Sequence, residues 1–423
     1  MRKGTLNCCE AFLKKEAQTA VLVASPVCFL PMDKNLSHSS SQASTTNVVC
    51  NRNLLQIARA FFYVGVIGFG GGLAILAQLQ RHVVEKLKWL TNEEFVEATA
   101  VIQSLPGVIA VNISCYIGFK LRGWIGGLVA VVAMLLPAFV SMLLLSEFYL
   151  TFKEVPDLER LFRGMTPSIA AFILVATYKL GHTVLRSFWD WPLAILSFLA
   201  ISFFDCGVVQ AVLVAGSLGL LASVWKRAFA GDFRCFSPLC LGVGILITFF
   251  LSNDIWRLLY VFLKIGAFTF GGGYVMVPFL EGEVVRRFGW LNHREFVDSV
   301  ALGQITPGPV VITATFVGYK VLGLLGACLT TVAVFLPSYC ITLAVSFYYR
   351  RFKSNKVLQA FLRGVSPSVV GMLASATLSI GKISIHSLVG LLIAFATLVV
   401  SLRFKVSSLW IILAAGGLGW FLR

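Results

Sequence analysis

From Asn53 onward the chain is a succession of long apolar runs separated by short polar connectors. The runs fall near 54–79, 97–119, 123–149, 166–185, 187–204 and 206–225, with a shorter one near 238–252. They continue at 254–279, 297–319, 321–349, 364–382, 384–401 and 404–422. Most approach the ~20 residues that a helix needs to cross a bilayer. Backbone polar groups in lipid must be satisfied within the segment, and the period-two alternation of barrel strands is absent, so the pattern predicts helices. The fold class is therefore all-α: a polytopic integral membrane protein with about 12–13 transmembrane helices.

Residues 1–52 break the pattern. Ala17 to Pro31 is moderately apolar but too short to span, and a Ser- and Thr-rich stretch, Ser37 to Asn47, follows it. This segment reads as an N-terminal tail, disordered or used for targeting, although Glu10, Glu16 and Asp33 count against a transit peptide.

Composition agrees with a membrane chain. Of 423 residues, 58% are hydrophobic and 13% are charged, about half the charge of a soluble domain. The net charge of +16 sits in short connectors, where Lys and Arg mark the cytoplasmic side of a membrane protein. No nucleic-acid partner is implied. The ten cysteines and five histidines show no metal spacing, so no cofactor or metal is expected. A Walker phosphate loop is absent, because Gly381-Lys382 is followed by Ile383.

The most informative feature is an internal repeat. Gly68-Phe69-Gly70-Gly71-Gly72 returns as Thr269-Phe270-Gly271-Gly272-Gly273, and Trp89-Leu90 as Trp290-Leu291. Glu94-Phe95, Gln103 and Pro106-Gly107 return as Glu295-Phe296, Gln304 and Pro307-Gly308, all 201 residues later. The offset then becomes 200 and holds through Gly118/Gly318, Lys120/Lys320, Pro137/Pro337, Arg163-Gly164/Arg363-Gly364 and Pro167/Pro367. The chain thus divides into a tail at 1–52, a first repeat at 53–226, a linker with an extra span at 227–253, and a second repeat at 254–423.

With six crossings per repeat and one in the linker, the second repeat is inverted. Loop charges agree. The 350–363 connector carries Arg350, Arg351, Lys353, Lys356 and Arg363 with no acid, whereas in 150–163 the bases are balanced by Glu154, Asp157 and Glu159. A single re-entrant run at 97–119 in each repeat would make the halves parallel, and the charges favour inversion.

Inverted repeats with broken helices are a recurring plan for secondary transporters, whose sites lie near the midplane. Glycine triplets weaken a helix and Pro-Gly breaks it. Gly70, Gly71, Gly72, Pro106 and Gly107, matched by Gly271, Gly272, Gly273, Pro307, Gly308 and Pro309, therefore predict half-helices. Their exposed N–H groups, meeting across a pseudo-two-fold axis, would suit an oxyanion. The alternative is that the glycines only allow close helix packing. Gln103 and Gln304 are candidate donors to an anion or interhelical hydrogen-bond formers. Lys120, Lys320, Arg163 and Arg363 are candidate counter-charges, or helix-end residues that snorkel to the headgroups. Glu94 and Glu295 are expected to start helices or form salt bridges.

These residues resemble the chromate ion transporter family in its duplicated long-chain form. The first half carries Phe69-Gly70-Gly71-Gly72, Trp89-Leu90, Gln103, Pro106-Gly107-Val108 and Ile117-Gly118-Phe119. The second carries Phe270-Gly271-Gly272-Gly273-Tyr274, Gly289-Trp290-Leu291, Thr306-Pro307-Gly308-Pro309 and Phe316-Val317-Gly318-Tyr319. Gly72 and Val108 stand where the family has proline. The resemblance implies a non-enzymatic carrier of chromate, and of the equally tetrahedral dianion sulfate, by alternating access. Its setting is the lipid bilayer, with the plasma membrane ahead of an organelle membrane. A coupling ion (proton or sodium) and a homodimer are further partners that a secondary transporter admits. The rival readings are a carrier of another anion or small organic acid, and a membrane enzyme acting on lipid.

Overall fold

The computed structural model describes residues 53–103, 105–188, 190–204, 207–228, 254–270, 273–347, 356–404 and 406–421. The N-terminal tail, the 238–252 run and the pair Gly271-Gly272 lie outside the described residues. Among those described, 14 α-helices and no strand are present. The first repeat comprises α1 (Leu54–Ile67), α2 (Gly72–Gln80), α3 (Asn92–Ile102), α4 (Ile109–Phe152), α5 (Pro156–Val184), α6 (Asp190–Phe203) and α7 (Val208–Ala228). The second follows the same order: α8 (Asp254–Phe268), α9 (Met276–Leu280), α10 (His293–Ile305), α11 (Thr313–Phe347), α12 (Lys356–Ser384), α13 (Leu388–Arg403) and α14 (Ser408–Phe421). α2 and α9 each run on into a π-helical turn, Arg81–Lys86 and Glu281–Arg287.

The runs at 54–79 and 97–119, and their partners at 254–279 and 297–319, do not cross as single helices. Each doubles back. Glu94 at the start of α3 and Lys120 near the end of the first limb of α4 are 2.6 Å apart, whereas 26 residues of straight helix would hold them about 39 Å apart. Glu295 and Lys320 pair in the same way in the second repeat. The earlier segment also reverses, since the Tyr63 and His82 rings lie 4.9 Å apart and Lys264 reaches Glu283 at 2.6 Å. Each repeat thus opens with two re-entrant hairpins. Two reversals per repeat, unlike one, return the chain to the side it entered from, so the 150–163 connector stays on the side that its charges assign.

α4 and α11 are themselves bent pairs. Their backbone leaves helical geometry at Arg122-Gly123 and Leu322-Gly323, with φ of +63° and +59° at the glycines. There the chain folds back so tightly that a Cβ on Gly118 would lie 2.3 Å from the Gly126 carbonyl, and one on Gly318 would lie 2.3 Å from that of Gly326. The second limbs, 124–152 and 324–347, are the long central helices. Against them pack α1, through Ile57, Ala60, Phe61, Val64 and Gly65, and α8, through Leu258, Val261, Phe262, Ile265 and Gly266. That is one i, i+3, i+4, i+7, i+8 stripe used twice.

The central limbs run antiparallel. Tyr339 donates to the Trp124 carbonyl at 3.0 Å, the Phe119 and Phe347 rings are 4.7 Å apart, and Tyr319 donates to Glu147. The start of each limb thus meets the end of the other. A two-fold axis that relates antiparallel membrane-crossing helices lies in the membrane plane, so the repeats are inverted. The later helices exchange sides: α6 and α7 pack on α12, and α13 and α14 pack on α5. Gly364 abuts Gly219 as Gly164 abuts Gly419, and the Ser197–Ser368 hydrogen bond (2.7 Å) is matched by Thr397–Ser168 (3.1 Å). Large apolar side chains such as Leu144, Phe203, Leu388 and Trp410 face outward, as a lipid-facing surface requires.

Thr177 and Thr377, equivalent residues of α5 and α12, meet on the axis with hydroxyl oxygens 3.5 Å apart. In a cysteine-free background, Thr177→Cys with Thr377→Cys is expected to form an intramolecular crosslink on mild oxidation. The mismatched pair Thr183→Cys with Thr377→Cys should not, and equal crosslinking of both would contradict the axis.

Candidate functional site

The four hairpin tips meet at the centre of the molecule. The Gly107 N–H donates to the Thr269 carbonyl at 2.5 Å, and the Gly308 N–H donates to the Gly68 carbonyl at 2.7 Å. These bonds are symmetry mates: each second-hairpin tip is tied to the first-hairpin tip of the other repeat. Pro106 and Phe270 form an isolated antiparallel bridge at the same place. Gly107 and Gly308 share a φ of +105°, a conformation strained for any residue with a Cβ. Space is equally restrictive, because a Cβ on Gly107 would fall 1.9 Å from the Ser338 hydroxyl and one on Gly308 would fall 2.9 Å from Ala138. Gly70 and Gly71 also have positive φ, +103° and +84°. Gly72 and Gly273 open the helical segments that follow. Val108 and Pro309 precede the return helices in the same extended conformation, so valine in place of the family proline at 108 leaves that tip's backbone geometry intact.

The tips and the bases of the hairpins are finished differently. At the bases, Thr91 and Asn292 form complete capping boxes with Glu94 and Glu295. At the tips, Gly71, Val108 and Pro309 supply no side-chain cap. The carbonyl ends of the inbound helices α1 and α8 are occupied by the cross-repeat bonds. The first N–H groups of the outbound helices have no intrahelical acceptor, and they concentrate positive potential at the centre. No residue in 68–72, 103–109 or 304–310 is charged.

Gln304 is the most distinctive side chain here. It is 4% exposed, its carbonyl oxygen accepts from the Tyr274 hydroxyl at 3.1 Å, and its Nε2 has no hydrogen-bond partner. Leaving such a donor buried and unmet costs about 1–3 kcal/mol. Gln103 is exposed at the matching tip, and Leu73 stands where Tyr274 stands in the repeat. Thr306 is buried, with its hydroxyl on the Gly303 carbonyl at 3.0 Å. Sequence reading missed Asn112 and Ser338. Asn112 is fully buried, donates to the Pro106 carbonyl at 3.0 Å and accepts from Ser338. A polar residue inside an apolar run was the signal for it. Cys115 is buried in the first limb of α4 and faces Gly127 in the second limb.

The four candidate counter-charges are not at the tips. Lys120 and Lys320 stand at the hairpin bases, about 18 Å along a helix from the breaks, paired with Glu94 and Glu295. Lys153 joins Glu295 at 3.1 Å. Burial opposes charge on these two carboxylates. The lysine hydrogen bonds and the cap N–H groups outweigh it, so both pKa values lie below the ordinary Glu value. Arg163 pairs with Glu159 and lines a cavity of about 340 Å³ with Arg294, Thr166, Ser384, His386 and Ser387. Arg363 lies exposed on α12.

With this geometry in view, comparison with known proteins is informative. A sequence profile of the family described as chromate transporter matches residues 55–220 and 256–420. The chain belongs to the chromate transporter family. Among curated relatives of this family, the probable chromate transport protein of Synechococcus elongatus is 31% identical over 357 residues, covering 82% of this chain and 90% of its own. The chromate transport protein of Cupriavidus metallidurans is 32% identical over 394 residues, covering 90% and 95%. That of Pseudomonas aeruginosa is 30% identical over 412 residues, again covering 90% and 95%. No solved structure matches. Each profile match coincides with one pair of hairpins and the helices after them, so the family unit is the inverted half described above.

The base pairs yield a prediction. The Lys120–Glu94 pair is exposed (33% and 46%), whereas Lys320 and Glu295 are 25% and 8% exposed. Lys320→Met is expected to lower thermal stability in detergent by about 2–3 kcal/mol, and Lys120→Met by less than about 1 kcal/mol. Because the folded-state pKa values are lowered, this stabilisation is full above the unfolded value of about 4.3 and is lost as pH falls through the lower folded values.

Proposed function

We propose that this chain is a secondary transporter of chromate, and of sulfate in competition with it, which binds the oxyanion at the paired hairpin tips and releases it by alternating access. The observation that carries this reading is the unpartnered amide of Gln304, buried beside uncapped helix N-termini on a pseudo-two-fold axis. A tetrahedral dianion offers acceptors in several directions and needs donors more than a fixed counter-ion. The tips offer N–H groups and an amide from both repeats, without a carboxylate to repel it. Lys120, Lys320 and Arg163 are engaged with acids at the periphery, so their role in this reading is to raise the local anion concentration.

The inverted hairpins supply the means of alternation. The first repeat's pair opens toward one side of the membrane and the second repeat's toward the other, while both reach the same central tips. Loosening the Gly308–Gly68 contact or the Gly107–Thr269 contact would expose the site to one side at a time. The working location is the plasma membrane, where the family's cargo crosses between cell and medium.

The test is labelled chromate flux into vesicles that contain the purified protein, with and without excess sulfate. Sulfate is expected to inhibit. Loss of a donor to a charged ligand costs about 1.5–3 kcal/mol, so Gln304→Leu should reduce flux about 10- to 100-fold at unchanged membrane level. Gly107→Ala should do the same by forcing the tip apart. Full flux in both variants would remove the tips as the site, and chromate flux indifferent to sulfate would confine the cargo to chromate.

A further inference from the structure

The second repeat holds a buried acid that oxyanion binding does not use. Asp298 lies on α10, one turn inside Glu295, and is 3% exposed. Its Oδ2 accepts from the Tyr149 hydroxyl at 2.7 Å. Tyr149 belongs to the central limb of the first repeat, so this bond joins the second repeat's hairpin to the opposite scaffold. A cavity of about 150 Å³, lined by Tyr149, Lys153, Glu154, Glu159, Arg294 and Glu295, reaches Asp298.

The cations facing this cavity are engaged elsewhere. Lys153 and Lys320 hold Glu295, and Arg294 and Arg163 hold Glu159. None makes an ion pair with Asp298, while Glu154, Glu159 and Glu295 add negative charge nearby. A carboxylate taken out of water without a paired cation is costly, and protonation removes the cost. The matching residue of the first repeat, Glu97, is exposed. Both halves therefore carry an acid at this position, and only the second repeat buries it.

Building on the oxyanion reading of the tips, we propose that Asp298 is the coupling site, taking up one proton from the water-accessible cavity and releasing it in each transport cycle, with Tyr149 as its cross-repeat partner. The step forms one O–H bond on the carboxylate and breaks one in hydronium, and no electrons are transferred. Charged Asp298 holds the Tyr149 hydroxyl and keeps α10 against the central limb. Neutral Asp298 is a weaker acceptor and frees the hairpin to move. Proton occupancy and hairpin position are thereby linked.

The experiment uses the full-length protein in vesicles with an entrapped pH dye, at fixed membrane potential. A gradient of one pH unit should change chromate accumulation about tenfold for one proton per cycle, with a matching dye signal. Asp298→Asn is expected to lose both, and Tyr149→Phe should keep coupling but shift the pH profile upward. The proposal fails if Asp298→Asn retains the gradient dependence, or if wild-type flux follows a sodium gradient and ignores pH. A second measurement separates this from failure of the oxyanion reading. The infrared difference spectrum of purified protein between acid and alkaline buffer, with no anion added, should show a protonated carboxyl band that Asp298→Asn lacks. Absence of that band in the wild type would overturn the proposal even if chromate flux were normal. Its presence without chromate flux would leave the acid standing and remove the cargo.

Discussion

Everything central to this molecule depends on two hydrogen bonds, Gly107 to Thr269 and Gly308 to Gly68. Broken helices in a membrane interior leave polar backbone groups that no water can satisfy, and a hairpin tip standing alone would be too costly to keep there. Each repeat completes the tip of the other. The requirement explains the glycines: only a residue without Cβ brings the two backbones within bonding distance at a φ of +105° with Ser338 and Ala138 pressed against them. It also explains why the breaks recur at one register in both halves, since each is half of a joint.

Symmetry at the tips contrasts with asymmetry at the bases. The second repeat buries Glu281, Glu283, Glu295 and Asp298, whereas Gln80, His82, Glu94 and Glu97 occupy the corresponding positions of the first. Glu281 is held by Arg286 and Ser379, and Glu283 by Lys264 and Arg287. Duplication supplied two equal frames, and charge has accumulated in one of them. A carrier with identical halves would present the same face to both sides of the membrane. This one does not.

Much of this organisation is legible in the residues. The apolar runs predict the helices, and the 201-residue offset predicts a two-fold relation and its broken helices. Glu94 and Glu295, expected to start helices or form salt bridges, do both, and the structure adds Thr91 and Asn292 as their capping-box partners. What the residues do not reveal is direction after a break. A run such as 97–119 has the same composition whether it continues across the bilayer or turns back, and only the Glu94–Lys120 contact decides. Lys120 and Lys320 look like counter-charges because they follow a broken run, yet reversal carries them to the opposite end of the hairpin from the break. Asn112 and Ser338, 226 residues apart, are invisible as a pair until the repeats are brought together.

The exchange of α6 and α7 with α13 and α14 has a mechanical consequence. Because each repeat's last helices are clasped by the other's, with Gly164 on Gly419 and Gly364 on Gly219 at backbone contact, the two halves are interlocked like linked arms. They cannot rock apart as separate bodies without prising open both clasps at once. For the alternating access proposed above, the clasps put the hinge line inside each repeat, between the hairpins and the frame, and not along the boundary where the duplicated gene segments were joined.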